Sequence, residues 1–565
     1  MKNNNLEEME MENKMTRGKK RITWMLALLW LVSVICGADI LNAEAAVNGS
    51  FHLVGVGPGD AELLTSRALD VIRGADIVFC NAKKQEKLSA LVDFKGKQVL
   101  DGYNVLFRYY GKDCAQVPAD KKSWHGMTCE EFHKKQAEFA KLVRQAVKEG
   151  KHVAMLSSGD PTIYGPDIWA VKELHDLDPV VVPGLSAFNA ANAVLKVSLG
   201  EVILTAPFKH KDSKDTLEKL TGHDRATLVI FMPRDMKELF TRLSAVHPAD
   251  MPAAIVSNAG MAGREKMVRG TVGGLAANLP DMDFRRSIVY VGKALEHAQF
   301  EAKPSPENAG KGKFYLVGLG PGDPDIATLK ALKIIESADL IFVHKRLGKK
   351  FEKYLAGKNV IHGYHRLFPF YGKKCADVTP KDQARERMSC EEYHKKQAEF
   401  AAIARKAVAE GKTVAMLDSG DPLVYGPCSW SLTELNDLNT EVVPGVSCFN
   451  AANAALRAGV TEGKNSHSVI LASGWSVEEM AAHQSTMVLF TMRTDFKKFI
   501  DGLSKHYPAD TPVAIVFKAG YAKEEKVMHG NLGTILSDMS KDKLPFEYLL
   551  YVGDFLNHSA DRLKN

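Results

Sequence analysis

The chain has 565 residues, 45% of them apolar and 25% charged, ordinary values for a globular protein of two to four domains. Its net charge of +6 is mild for the length. No basic stripe with interleaved aromatics marks a nucleic-acid surface, and the charge does not oppose an acidic small ligand.

In chain order, residues 1–46 stand apart. A basic stretch, Met15 to Arg21, precedes an apolar run, Ile22 to Cys36. Gly37, Ala38 and Asp39 then break the run, and Ala43-Glu44-Ala45 offers a small-residue cleavage site. This reads as a secretory signal peptide, with an uncleaved membrane anchor as the alternative. The run is short for a span of about 20 residues. Acidic residues before Met15 raise Met15 as an alternative start. The expected location is extracytoplasmic, periplasmic or membrane-anchored; the alternative is cytoplasmic.

From Phe51 the chain is a tandem duplication. FHLVGVGPGD at Phe51 returns as FYLVGLGPGD at Phe314, and EEFHKKQAEFA at Glu130 as EEYHKKQAEFA at Glu391. VAMLSSGDPTIYGP at Val153 returns at Val414, VVPGLSAFNAANA at Val181 at Val442, and HPADMPAAIVSNAG at His247 at Tyr507. So long a period means tandem domains and not a solenoid. The boundaries expected are 47–296 for copy one, 297–313 for a Pro/Glu/Lys/Gly/Ala linker, and 314–565 for copy two.

Each copy opens as strand, glycine-rich turn, helix, strand. Asp60 is placed to cap the next helix. Cys129 to Gly150 reads as an amphipathic helix stopped by its glycine. Alternating strands and helices predict a mainly parallel sheet. From about Val180 the β-rich runs lie closer together and predict a second lobe with a mixed sheet. Two lobes leave a cleft between them, the usual seat of a small ligand.

The turns that end the apolar runs form a set: Gly57 to Asp60, Ser158 to Gly165, Pro183 to Ser186, Phe231-Met232 and Asn258 to Gly260. None holds a Ser/His/Asp or paired-carboxylate arrangement. Such turns suit a ligand gripped by main-chain N–H and C=O groups with one apolar methionine contact.

Together VGxGPGD, GDPxxYG and PGxSxFNAA resemble the tetrapyrrole methylase family, over nearly the whole of both copies. The precorrin-4 C11 and precorrin-2 C20 branches are the most similar. The resemblance implies an α/β fold of tandem domains, each of two lobes with a ligand cleft between them. It implies a C-methyltransferase using S-adenosylmethionine on a tetrapyrrole of cobalamin-type biosynthesis. An exported, non-catalytic tetrapyrrole-binding protein on the same fold is the alternative. Family members usually pair, which suggests an intrachain pseudo-dimer or a homodimer.

By the same resemblance the cofactor would touch Pro58, Gly159, Asp160, Ile163, Ser186, Ala187, Met232 and Ala259. In copy two it would touch Pro321, Gly420, Asp421, Val424, Ser447, Cys448, Met492 and Ala519. Asp60 and Asp323 are the candidates to orient or deprotonate the macrocycle, beside their capping role. A sulfonium methyl is already activated, so alignment and exclusion of water carry most of the chemistry. Uroporphyrinogen methylases have an aspartate where this chain has Asn81 and His344, which argues against that substrate.

A macrocycle with several carboxylates needs cationic and aromatic partners. The stretch LFRYYGKDC offers Arg108, Tyr110 and Lys112, and LFPFYGKKC offers Tyr371 and Lys373. An exposed loop tied down by cysteines is the competing reading. Cys114 and Cys129 recur at the same spacing as Cys375 and Cys390. In an exported chain they read as one disulfide per copy. Zinc on these cysteines with His133 or His394 is the less favoured reading, because a fourth ligand is missing. No resident metal is therefore expected.

Overall fold

A computed structural model describes residues 49–559, apart from 105, 122, 125, 208–214, 299–311, 465, 475, 491–494, 540–543 and 545–546. The predicted signal segment and most of the predicted linker lie outside the described residues. No described helix is long and apolar enough to cross a membrane.

The first lobe of copy one is a five-stranded sheet in the order Gln98–Leu100, Ile77–Phe79, His152–Ser157, Ser50–Gly55, Val180–Val182. All its pairings are parallel. The strand His152–Ser157 is buried at five consecutive positions, as a strand covered by helices on both faces must be. The helix Cys129–Lys148 starts in a capping box made by Thr128 and Glu131, and Gly150 follows it with φ of 79°. Copy two repeats the lobe with Val360–Ile361, Leu340–Val343, Thr413–Asp418, Lys313–Gly318 and Thr440–Val443.

The second lobes are not two separate sheets. They fuse into one of ten strands: Lys266–Thr271, Pro252–Ser257, Ser287–Val291, Ala226–Phe231 and Glu201–Thr205, then Val469–Ser473, Thr486–Phe490, Tyr548–Val552, Pro512–Phe517 and Lys526–Asn531. The seam is antiparallel, with Ile203 opposite its repeat equivalent Ile470 and Val202 and Leu471 opposite each other. Self-pairing of equivalent residues places a local two-fold axis at the seam. Thr65 and Thr328 also bridge, close to the same relation. One hydrophobic core runs across the seam, holding Phe188 and Tyr290 with Phe449 and Tyr551.

The two-fold relation accounts for two carboxylates that the motif comparison had put at the cofactor. Asp160 and Asp421 are each 2% exposed. Asn450 Nδ2 donates to Asp160 Oδ2 at 2.6 Å, and Asn189 Nδ2 donates to Asp421 Oδ2 at 3.0 Å. Burial pushes the Asp160 carboxyl up to about 6, against the opposing hydrogen bonds of Thr162 and Asn450. It pushes Asp421 up to about 7. These aspartates join the copies; they do not line the cavity described below. Replacing Asn450 by leucine strands a buried carboxylate, and a loss of about 1–3 kcal/mol is expected. Urea unfolding at fixed pH reads it, and an unchanged midpoint would contradict the role.

Candidate functional site

The parallel strands of the first lobe all deliver their carboxyl ends to one edge, where α/β sheets bind ligands. The turns there interlock through main chain. Gly57 and Gly159 exchange hydrogen bonds of 3.3 and 3.1 Å. Gly55 lies so close to Gly184 that a Cβ on it would sit 2.6 Å from the Gly184 nitrogen. The second lobe closes against this edge at Gly59, where a Cβ would fall 1.9 Å from the Gly260 oxygen.

Asp60 completes that closure, and its predicted role needs correction. The 3-10 turn after it has no side-chain cap. Asp60 N donates to Gly260 O at 2.8 Å, and Asp60 Oδ2 accepts from Ala262 N at 2.7 Å. The carboxylate therefore holds the two lobes together, and Thr65 caps the helix Ser66–Gly74 instead. Asp323 does the same in copy two, accepting from Ala522 N at 2.8 Å without capping its own turn. Each aspartate thus has one carboxylate oxygen engaged in holding the lobes together.

Between the lobes of copy one lies a cavity of about 1420 Å³. Single small-molecule pockets usually measure about 300–1,000 Å³, so there is room for more than one ligand. Pro58, Asp60, Gly159, Ala187, Met232 and Ala259 all line it, as predicted. Met232 is 51% exposed and has φ of 52°, and Asn258 beside it also has φ of 52°. An exposed methionine held in the left-handed region is strain that a functional wall can carry.

Ile163 and Ser186 do not line the cavity. Ile163 packs in the core that joins the copies, and Ser186 makes a capping box with Asn189 at the start of the helix Ala187–Leu195. In copy two Val424 and Ser447 do the same. Pro321, Gly420 and Ala519 repeat the turn scaffold, with Gly320 N donating to Gly420 O at 3.2 Å and Asp323 N to Gly520 O at 3.2 Å. Cys448 replaces Ala187; its half-buried thiol is pushed up to about 12 by burial. Met492 lies outside the described residues.

The predicted substrate stretch is elsewhere. Arg108 lies 5.8 Å from the Trp124 ring centroid, and Tyr110 stacks 5.5 Å from Trp169 and donates to Glu173 at 3.4 Å. Tyr371 repeats this with Trp430 and Glu434. Lys112 and Lys373 are exposed on the same loops, and Arg108, Tyr110 and Lys112 are not among the residues lining the copy-one cavity. These loops are fastened by the disulfides Cys114–Cys129 and Cys375–Cys390, paired as the spacing predicted.

The cations that do face the cavity were missed. Lys83, Lys84, Arg234, Arg264, Arg285 and Arg286 line it, against the acids Asp60, Glu86 and Asp283. Lys87 joins them, its amine donating to Val56 O at 2.8 Å and Gly57 O at 3.3 Å. Burial brings Lys87 down to about 8, with Asp60 opposing. The basic runs AKKQEK and FRRS were legible, but not which loops converge. In copy two Glu524 and Glu547 stand where copy one has Arg264 and Arg286. There Lys350, the equivalent of Lys87, donates to Tyr521 and lies 4.1 Å from its ring centroid.

Relatives match one copy at a time. The cobalt-precorrin-4 C(11)-methyltransferase of Methanocaldococcus jannaschii is 32% identical over 257 residues, spanning 43% of this chain and 88% of that one. The precorrin-4 C(11)-methyltransferase of Pseudomonas aeruginosa is 27% identical over 253 residues, 43% of this chain and 90% of its own. Among solved structures, a cobalt precorrin-4 methyltransferase is 25% identical and covers 43% of this chain and 95% of its own, with a TM-score of 0.34. The sequence model of the tetrapyrrole (corrin/porphyrin) methylases matches twice, over residues 50–276 and 313–536. The chain belongs to that family and carries its domain in tandem.

Proposed function

We infer that this chain is an S-adenosylmethionine-dependent C-methyltransferase acting on a precorrin-type tetrapyrrole, and that copy one carries the reaction. The observation that supports this most is the copy-one cavity, where side-chain-poor turns of both lobes meet a cationic wall. Pro58, Gly159, Ala187 and Ala259 leave main-chain groups at the surface, and Met232 adds an apolar thioether, a fit for a nucleoside with an amino-acid tail. Arg264 and Arg286 fit the carboxylates of the macrocycle, while Arg285 is paired with Asp283. Asn81 lines the cavity too, and its side chain is engaged in capping the helix that follows.

S-adenosylmethionine supplies an activated methyl group. The chain supplies position: the Asp60 tie fixes the lobe spacing, and the walls exclude water from the meeting point. When an electron-rich ring carbon takes the methyl, the C–S bond breaks, a C–C bond forms, and the product must release a proton. That proton passes to bulk water on product release; Lys87, whose amine donates to Val56 O and Gly57 O, braces the turn as a hydrogen-bond donor.

Incubation of the purified chain with S-adenosylmethionine and precorrin substrates should add one methyl to the macrocycle, read by mass spectrometry. Calorimetry with S-adenosylhomocysteine should show binding. If neither is seen, the reading fails. Binding without methyl transfer to any tetrapyrrole would favour a carrier on the methylase fold.

The chain is further proposed to work outside the cytoplasm, on the strength of its charged-apolar-small N-terminal pattern and its disulfides. Cell fractionation tests it. The shared ten-stranded sheet supports a chain that supplies its own partner in place of a second protomer.

A further inference from the structure

Behind the cavity edge, one buried polar trio differs between the copies. In copy one Ser157 ends its strand, and Asn104 Nδ2 donates to Leu156 O at 3.0 Å and to Asp167 Oδ1 at 3.3 Å. The aligned residues of copy two are Asp418, His365 and Cys428. The carboxylate has moved to the strand end, an imidazole replaces the amide, and a thiol replaces the carboxylate.

The new trio offers oxygen, nitrogen and sulfur donors in one place. Asp418 and Cys428 are each 0% exposed, and Cys428 is not in a disulfide. Asp418 Oδ1 accepts from His365 Nε2 at 3.2 Å, and Asp418 Oδ2 from Cys428 N at 3.2 Å. One ligand atom from each residue lies within 4.8 Å of the others. His365 Nδ1 is buried and has no hydrogen-bond partner among the described residues. The Cys428 thiol is hydrogen-bonded to Asp418 and to the Arg366 main chain, with the Arg366 charge nearby, and the unpaired imidazole nitrogen calls for something to bind.

We propose that copy two binds one divalent d-block ion of the zinc type through His365, Asp418 and Cys428. A borderline-soft ion suits this mixed donor set better than magnesium or calcium, which take oxygen. Tetrahedral zinc, with bonds of about 2.0–2.3 Å, sets its ligand atoms roughly 3.5 Å apart, so a small contraction of the trio forms the site. Three protein ligands leave a fourth place open, the pattern of an ion that meets a ligand and not of one that only holds a fold. The site adjoins the copy-two cleft edge. Asp418 directly precedes the Ser419-Gly420 turn. The His365 ring lies 5.2 Å from that of His344, whose copy-one equivalent Asn81 lines the cavity. Copy two thus has a metal-centred chemistry that copy one, with Asn104, Ser157 and Asp167, lacks.

The test uses the full chain with both disulfides intact, so that only free thiols can ligate, titrated with cobalt(II) alone. One cobalt(II) per chain is expected, with a thiolate-to-metal charge-transfer band that zinc(II) abolishes. The triple variant His365→Asn, Asp418→Ser, Cys428→Asp gives copy two the residues that copy one already accommodates. It should keep its circular dichroism and bind at least about a hundredfold more weakly. Cys428→Ser alone should remove the charge-transfer band. No stoichiometric binding to the parent chain, or binding and band unchanged in the triple variant, overturns the proposal.

Discussion

Exchanging Arg264 and Arg286 for glutamate, the residues that copy two carries at those positions, is expected to raise KM for a carboxylated tetrapyrrole about ten- to a hundredfold, or ~1.4–2.8 kcal/mol, with kcat within a few-fold. Both arginines line the copy-one cavity and both are exposed there. An exposed ion pair is worth at most about 1 kcal/mol, but reversal removes two attractions and adds two repulsions. Such contacts act on ground state and transition state alike, so the loss falls on KM. The effect should shrink as salt rises, because exposed charges are screened over about 10 Å at 0.1 M. The mirror changes, Glu524→Arg and Glu547→Arg, should leave turnover untouched. A KM that ignores the first pair would remove the cationic wall from substrate binding.

Gly59→Ala should abolish methyl transfer, by at least about a hundredfold, while Gly322→Ala spares it. A Cβ at Gly59 would meet the oxygen and carbon of Gly260 at 1.9 and 2.2 Å, main-chain atoms that cannot step aside. Relief requires the lobes to part, which breaks the hydrogen bonds of Asp60 to Gly260 and Ala262 and opens the cavity to water. A displacement of about 1 Å at a reacting centre can cost a factor of about 100. Gly322 makes the equivalent contact, its Cβ position lying 2.3 Å from the Gly520 carbon, with φ of 82°. Its substitution strains the copy-two closure first, with Arg67 of copy one tied to the same turn through Gly520 O and Asp325. Rates and calorimetric binding of S-adenosylhomocysteine, measured on both folded variants, separate the copies. Equal losses in the two would mean that the reaction is not confined to copy one.

Much of the molecule was legible in residue order because its signals are local. Glycines in VGVGPGD mark turns whose backbone must bend or be approached closely, and repeated cysteines at a fixed spacing mark a loop closure. Alternation of apolar runs with amphipathic helices marks a parallel sheet, and the turns Pro58, Gly159, Met232 and Ala259 did meet at one cavity. The errors share a cause. Asp160 and Ser186 sit in the right motifs, yet one faces the other copy and the other faces its own helix. Arg108 and Tyr110 have the right chemistry, but their loop packs on Trp124 and Trp169. Arg264 and Arg286 belong to none of the family motifs and reach the cavity only because their two loops converge, joined by Asn258 N donating to Arg286 O.

The amino-acid sequence by itself determined the tandem repeat, the lobe classes, the disulfide pairs and the family, since periodicity, turn chemistry and spacing are properties of neighbouring residues. Tertiary structure decided the ten-stranded seam, the clamp role of Asp60, the choice of cations at the cavity and the His365–Asp418–Cys428 trio. Each of these depends on which surfaces far apart in the chain are buried against one another, and burial is settled only when the whole chain has packed.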